Sequence, residues 1–136
     1  MNPSRAAVLQ SLLHASQGLL FISESDAPFT PVDAPDVPFA ALEDGAVRRL
    51  AGRPADDAVG QRGVDDFFRN AVKAQPWHSP EQSEDARRYR ALVARLHESL
   101  PDARVYRVGE VSIDVLILGT GPGGGVLGLA TRVVET

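Results

Sequence analysis

Cysteine is absent from this 136-residue chain. A disulfide framework, a thiolate metal site and a cysteine nucleophile are therefore excluded, and the composition agrees with a reducing compartment. Long hydrophobic runs are missing as well. No stretch approaches the roughly 20 apolar residues that cross a bilayer, and Gln10, His14 and Gln17 interrupt the apolar run at 6–9 before a secretory core could form. A cytoplasmic location is the expectation. Basic charge is not in surplus: the net charge is −4 and the isoelectric point about 5.3. That balance argues against a surface built to track a phosphate backbone. Arg87, Arg88, Arg90 and Arg95 do gather, but Glu81, Glu84, Asp85 and Glu98 are interleaved with them, as on a solvated helix face.

Signatures of catalysis are scarce too. There is no Gly-x-Ser-x-Gly elbow, and His14, His78 and His97 form no His-x-x-x-His pair and have no carboxylate at metal-ligand spacing. They read as surface or capping residues, with no metal or cofactor of the chain's own expected. The run Gly121-Pro122-Gly123-Gly124-Gly125 lacks the Gly-Lys-Ser/Thr ending of a phosphate loop and leads into a strand pattern rather than a helix N-terminus, so it reads as a flexible hairpin loop. The expectation is a protein without catalysis. An enzyme would need histidines and carboxylates brought together by folding.

Hydrophobic residues at 43% and charged residues at 24% are the balance of a soluble globular protein, and residues 1–136 suffice for a single domain with one core. Val8, Leu12 and Ala15 mark an amphipathic helix over 4–17 that Gly18 stops. A strand is expected at 19–23. Prolines 28, 31, 35 and 38 then forbid a long helix and favour a wrapped loop with at most one short strand. A modest helix fits 41–50 and a weak strand 58–62. Phe67 and Phe68 anchor a short helix over 64–71. Ser79, Pro80 and Gln82 form a capping-box start for a helix running toward Leu100, with Ala86, Tyr89, Leu92, Val93, Leu96 and Leu100 as its apolar stripe. Strands over 105–108, 111–119 and 126–134 form an antiparallel meander. In the middle one Val111, Ile113, Val115 and Ile117 face one way while Leu116 and Leu118 face the other, and a strand apolar on both sides needs layers above and below. The expected class is α/β, a three-layer α/β/α sandwich around a mixed, partly antiparallel sheet.

Three polar or aromatic features stand out from this scaffold. At 18–29 an apolar strand breaks off into Ser23, Glu24, Ser25 and Asp26, a knuckle closed by Pro28 that reads as unable to continue as strand or helix and able to present a fixed anion. Trp77, the one tryptophan, sits between Pro76 and Pro80 just before the helix cap, as a hydrophobic staple, a loop anchor or an interface hot spot. The strand that ends in Val133-Val134-Glu135-Thr136 is either a plain strand end or a pinned probe whose carboxylate and hydroxyl suit a hydrated Mg²⁺ or an arginine cluster.

Residues 18–29, Asp66-Phe67-Phe68, Pro76-Trp77, residues 105–111 and the terminal Val133-Val134-Glu135-Thr136 resemble, in order and spacing, the nuclease A inhibitor family. The resemblance covers nearly the whole chain and implies a three-layer protein that binds a sugar-nonspecific DNA/RNA endonuclease of the ββα-metal type and occludes its Mg²⁺ site. By that resemblance Glu24 pairs with an arginine of the nuclease, Trp77 packs at the interface, and Thr136 reaches the catalytic metal through its water shell, with Ser23, Ser25, Asp26 and Glu135 beside them. The inhibitor is expected to be monomeric when free and to touch neither nucleic acid nor membrane. The carboxylates that the family places after the tryptophan are diluted here by His78, Ser79 and Pro80, so the identity of the target does not carry over. An interaction domain of the same fold with a non-nuclease partner is the alternative.

Overall fold

The computed structural model describes residues 4–22, 26–54, 57–73 and 75–135. Helix α1 (Arg5–Ser16) begins where Ser4, in extended conformation, accepts a hydrogen bond from the Ala7 amide. Val8 and Leu12 are buried on its inner side, and Gly18, at φ 77°, makes the left-handed turn that sends the chain into a strand.

That strand, β1 (Leu20–Ile22), pairs antiparallel with β2 (Asp26–Pro28) in a two-stranded ribbon of its own, Leu20 opposite Pro28 and Phe21 opposite Ala27. The expectation that the knuckle could not continue as strand is corrected at Asp26. A two-stranded ribbon consists only of edges, so Pro28 costs no ladder bond on its open side. The same tolerance explains a second difference. The expected wrapped loop is instead β3 (Thr30–Pro38), a nine-residue strand on the edge of the main sheet whose register breaks between Ala34 and Pro38, around Pro35.

A 3₁₀ turn (Phe39–Ala41) leads to α2 (Asp44–Ala51), capped by Glu43, which accepts from the Ala46 amide at 2.9 Å, and closed by Gly52 at φ 68°. Then come β4 (Val59–Arg62) and the single turn α3 (Val64–Phe67). Helix α4 (Pro80–Ser99) carries the full capping box: the Gln82 amide donates to Ser79 Oγ at 3.2 Å, and the Ser79 amide to Gln82 Oε1 at 2.8 Å. Strands β5 (Arg104–Val108), β6 (Ser112–Thr120) and β7 (Gly125–Val134) complete the chain's regular structure. Among the described residues no helix is long and apolar enough to cross a membrane.

The five-stranded sheet has the order β3-β7-β6-β5-β4, and each of its pairings is antiparallel. The mixed sheet expected from the sequence is therefore corrected to an antiparallel one. Short turns return the chain from β5 to β6 and from β6 to β7, whereas a parallel neighbour would need a long crossover. On one face of β6, Ile113, Val115 and Ile117 join a core with Val8 and Leu12 of α1 and Leu92 and Leu96 of α4; on the other, Leu116 and Leu118 join a core with Val47 of α2. Val111, expected to open the first row, lies outside β6 and is 53% exposed, its carbonyl accepting instead from the Glu135 amide.

The glycine-rich hairpin between β6 and β7 turns through Gly123 and Gly124 at φ 87° and 98°. It is held by Arg5, whose guanidinium donates to the carbonyls of Pro122, Gly125 and Val126 and to Asp33 at 2.6–3.1 Å. Within β7, a Cβ at Gly128 would run into the Ile117 carbonyl of β6. Gly128→Ala is expected to destabilise the fold by roughly 3 kcal/mol, the upper end of overpacking penalties. Urea unfolding checks this, and an unchanged midpoint would show that the two central strands can move apart.

Candidate functional site

Phe21 of β1 stacks on Phe67 of α3, with centroids 4.6 Å apart and planes 13° apart, and Phe67 meets Phe68 edge-on at 4.9 Å. Phe29, Phe68 and Tyr89 of α4 close the cluster at 5.9–6.3 Å. These contacts fasten the β1–β2 ribbon to the helical side of the molecule. The Tyr89 hydroxyl, buried there, donates to the Leu20 carbonyl at 2.7 Å, and burial pushes its pKa well above the ordinary tyrosine value. On its other side the ribbon leans on β7, where the buried Thr131 hydroxyl donates to the Ala27 carbonyl.

Beside this cluster lies a cavity of about 660 Å³. Its walls come from remote parts of the chain: Leu20 and Phe21 of β1, Phe67 of α3, His78 before α4, Asp85 and Tyr89 of α4, and Val133 to Glu135 at the end of β7. The strand entering the polar knuckle, the turn carrying the tryptophan and the outgoing tail thus meet at one opening. Ser23, Glu24, Ser25 and Thr136 themselves lie outside the described residues.

Three of the expected site residues are described. Asp26 is exposed at the start of β2. Trp77 is 76% exposed on a tight turn in which the His78 amide donates to the Gln75 carbonyl at 3.0 Å and the Gln75 amide to His78 Nδ1 at 3.2 Å. Such exposure discards the staple and the buried anchor. The turn holds the backbone while the indole stands mostly in solvent, meeting the His78 ring edge-on at 6.1 Å, an arrangement that leaves a large apolar surface exposed.

Glu135 is tied back to the sheet: its amide donates to the Val111 carbonyl at 2.9 Å, and its carboxylate accepts from the Arg107 guanidinium at 2.5 Å. That hydrogen bond first, then the charges of Arg107 and Arg62, hold the carboxyl below the ordinary glutamate value. Arg107 was not singled out from the sequence, although a signal was there. It alternates with Tyr106 and Val108 and so falls on the same side of β5 as buried Val105, an unusual place for a cation unless it has a partner.

The interleaved charges of α4 divide. Arg87 pairs with Glu84 and Arg95 with Glu98, as on a solvated face, while Arg88 donates to the Ala15 and Gln17 carbonyls and Arg90 to that of Val72. His97 meets Asp65 at 2.8 Å, and His14 is exposed. Among the described residues no three His, Asp or Glu side chains converge as a metal site.

Residues 6–136 match the family described as nuclease A inhibitor-like protein. The chain belongs to that family. No curated protein matches it. A nuclease A inhibitor-like protein is a member of a family of inhibitors, and three of the motifs that carry the resemblance put residues in the cavity wall of this one: Phe21, Phe67, and Val133 to Glu135.

The Arg107–Glu135 pair has a defined pH signature. Because the folded pKa of Glu135 lies below its ordinary value of 4.5, the pair's contribution is fully present above that value and is lost as pH falls through the lowered folded pKa. With the glutamate side chain 55% exposed, its size is at most about 1 kcal/mol. Glu135→Gln is expected to lower stability slightly at pH 7, with the difference from the parent protein shrinking as pH falls below 4.5 through the lowered folded pKa. Urea titrations across that range measure this, and a stability gap that does not change with pH would refute the pairing.

Proposed function

We propose that this chain is a protein inhibitor that binds a Mg²⁺-dependent, sugar-nonspecific DNA/RNA endonuclease of the ββα-metal type and occludes its active site, with no catalysis of its own. In this reading residues 1–136 act as one cytoplasmic domain, a three-layer α/β/α sandwich that is monomeric until it meets the nuclease. The observation that supports it most is the meeting of the β1 strand, the tryptophan turn and the end of β7 around one cavity, next to an indole left in solvent.

Each proposed contact has a physical reason. Glu24 lies in sequence two residues from both Ile22 and Asp26, which belong to a ribbon braced by aromatic packing, and an arginine can grip its carboxylate with two parallel hydrogen bonds. Ser23, Ser25 and Asp26 supply further acceptors around it. Trp77 brings a large flat surface whose exposure is relieved on binding. Thr136 follows Glu135, whose side chain and amide are both anchored, so the tail would meet the metal with little entropy left to lose. Mg²⁺ keeps several of its waters, which the Thr136 hydroxyl can engage without displacing them. Glu135, already engaged by Arg107, then orients the tail rather than competing for the metal. An acidic protein is also drawn toward a cleft made to attract phosphates.

Inhibition constants against purified endonucleases of this class provide the test. Glu24→Ala is expected to weaken inhibition by roughly 2 kcal/mol or more, and Trp77→Ala by a similar amount. Removal of Thr136 is expected to weaken inhibition while leaving thermal stability unchanged. If all three variants inhibit like the parent protein, the occlusion reading is wrong.

A further inference from the structure

We propose that the cavity beside the Phe21–Phe67 stack is a receptor for a guanidinium group, an arginine side chain supplied by the bound nuclease. The inference rests on the occlusion reading above and assigns a second docking point to the same face, separate from Glu24.

The chemistry of the walls selects this guest. Phe21 and Phe67, stacked face to face and only partly buried, and Tyr89 give the cavity an aromatic side. Its charged lining residues among those described are Asp85 and Glu135, with no Lys or Arg in the wall. Glu135 already holds Arg107. Asp85 differs: it projects from the second turn of α4, exposed, and among the described residues it makes no salt bridge and no side-chain hydrogen bond. The Tyr89 hydroxyl feels the Asp85 charge most strongly, with Arg88 opposing it and the exposed carboxylate of Asp26 adding a smaller contribution of the same sign as Asp85.

An anionic guest would be repelled by the Asp85 carboxylate in the wall. A purely apolar guest would strip water from Asp85 and leave its charge unpaired, which is costly. A lysine would satisfy the carboxylate as a point charge and make little use of the flat wall. An arginine does both, stacking its plane on aromatic rings while its fork meets a carboxylate. The cavity volume of about 660 Å³ exceeds what one such side chain needs and leaves room for its apolar stem and bridging water. The opening is continuous with the proposed interface, since His78 and Glu135 in its wall are the chain neighbours of Trp77 and Thr136. A nuclease, which must hold phosphates, carries basic side chains around its cleft.

Two measurements decide the matter. In the first, the free inhibitor is titrated with N-acetyl-arginine amide and, separately, with N-acetyl-norvaline amide, which keeps the stem and lacks the guanidinium, while the ring signals of Phe21, Phe67 and Tyr89 are followed by NMR. Saturable shifts are expected with the arginine compound only, weakened about fivefold or more in Asp85→Asn. Ring signals that do not move, or an Asp85→Asn variant that titrates like the parent protein, overturn the proposal. In the second, inhibition of the nuclease is measured for Asp85→Arg beside Glu24→Ala, with circular dichroism confirming both folds. Asp85→Arg is expected to raise the inhibition constant about tenfold or more and to flatten the salt dependence of association. If it inhibits normally while Glu24→Ala does not, the arginine docking point is wrong and the occlusion reading stands. If Glu24→Ala and Thr136 removal are both without effect, the occlusion reading fails on its own residues, and the free-inhibitor titration still decides the pocket.

Discussion

The later half of the central strand β6 is apolar on both of its faces, and the rest of the fold answers that constraint. Ile113, Val115 and Ile117 on one side and Leu116 and Leu118 on the other are all nearly inaccessible to water. Each such side chain contributes about 1.5–3 kcal/mol through burial, provided something covers it. The cover comes from α1, α3 and α4 with the first set and from α2 and its neighbouring loop with the second. The flanking strands β5 and β7 take both registers from β6, and Gly128 lets β7 approach closely at one point.

The candidate site sits where this scaffold changes character. The β1–β2 ribbon is not part of the main sheet, so its position depends on side chains: the aromatic cluster around Phe21, the Tyr89 hydroxyl on the Leu20 carbonyl, and Thr131 on the Ala27 carbonyl. Aromatic pairs of this geometry add about 0.5–1.5 kcal/mol each beyond area burial. A ribbon braced in this way keeps its place without ladder hydrogen bonds to the main sheet. The tail is handled by a different device, an ion pair and a backbone hydrogen bond at Glu135. Both devices direct chain toward the same cavity, and the exposed indole of Trp77 stands beside it.

Much of the regular structure was legible in the sequence because its signals are local. Ser79, Pro80 and Gln82 named the start of α4, Gly18 the end of α1, and the alternation of β6 its two buried faces. Misreadings fell where local signals are permissive rather than directive. Prolines in 28–38 exclude a helix and a central strand, but they allow either a loop or an edge strand, and only the presence of an open sheet edge decides. The mixed sheet was misread for a related reason, since strand pattern reports burial and not the direction of a neighbour. A turn sequence does not say whether packing partners stand near Trp77, so staple and interface are equally compatible with it; in the structure the indole meets only the edge of His78 among the described aromatic rings and is 76% exposed.

By itself the sequence determined the helix caps, the strand alternation, the antiparallel meander of β5, β6 and β7 and, through separated motifs in order, the family. These depend on neighbours within a few residues or on pattern, and folding does not alter them. Tertiary structure alone decided that β1 and β2 leave the main sheet, that Arg107 holds Glu135, and that Phe21, Phe67, Asp85 and Tyr89 wall one cavity. Such contacts join residues tens of positions apart, and no local preference encodes which surface will be left to meet which. That is settled only when burial on both sides of β6 brings the helices against the sheet.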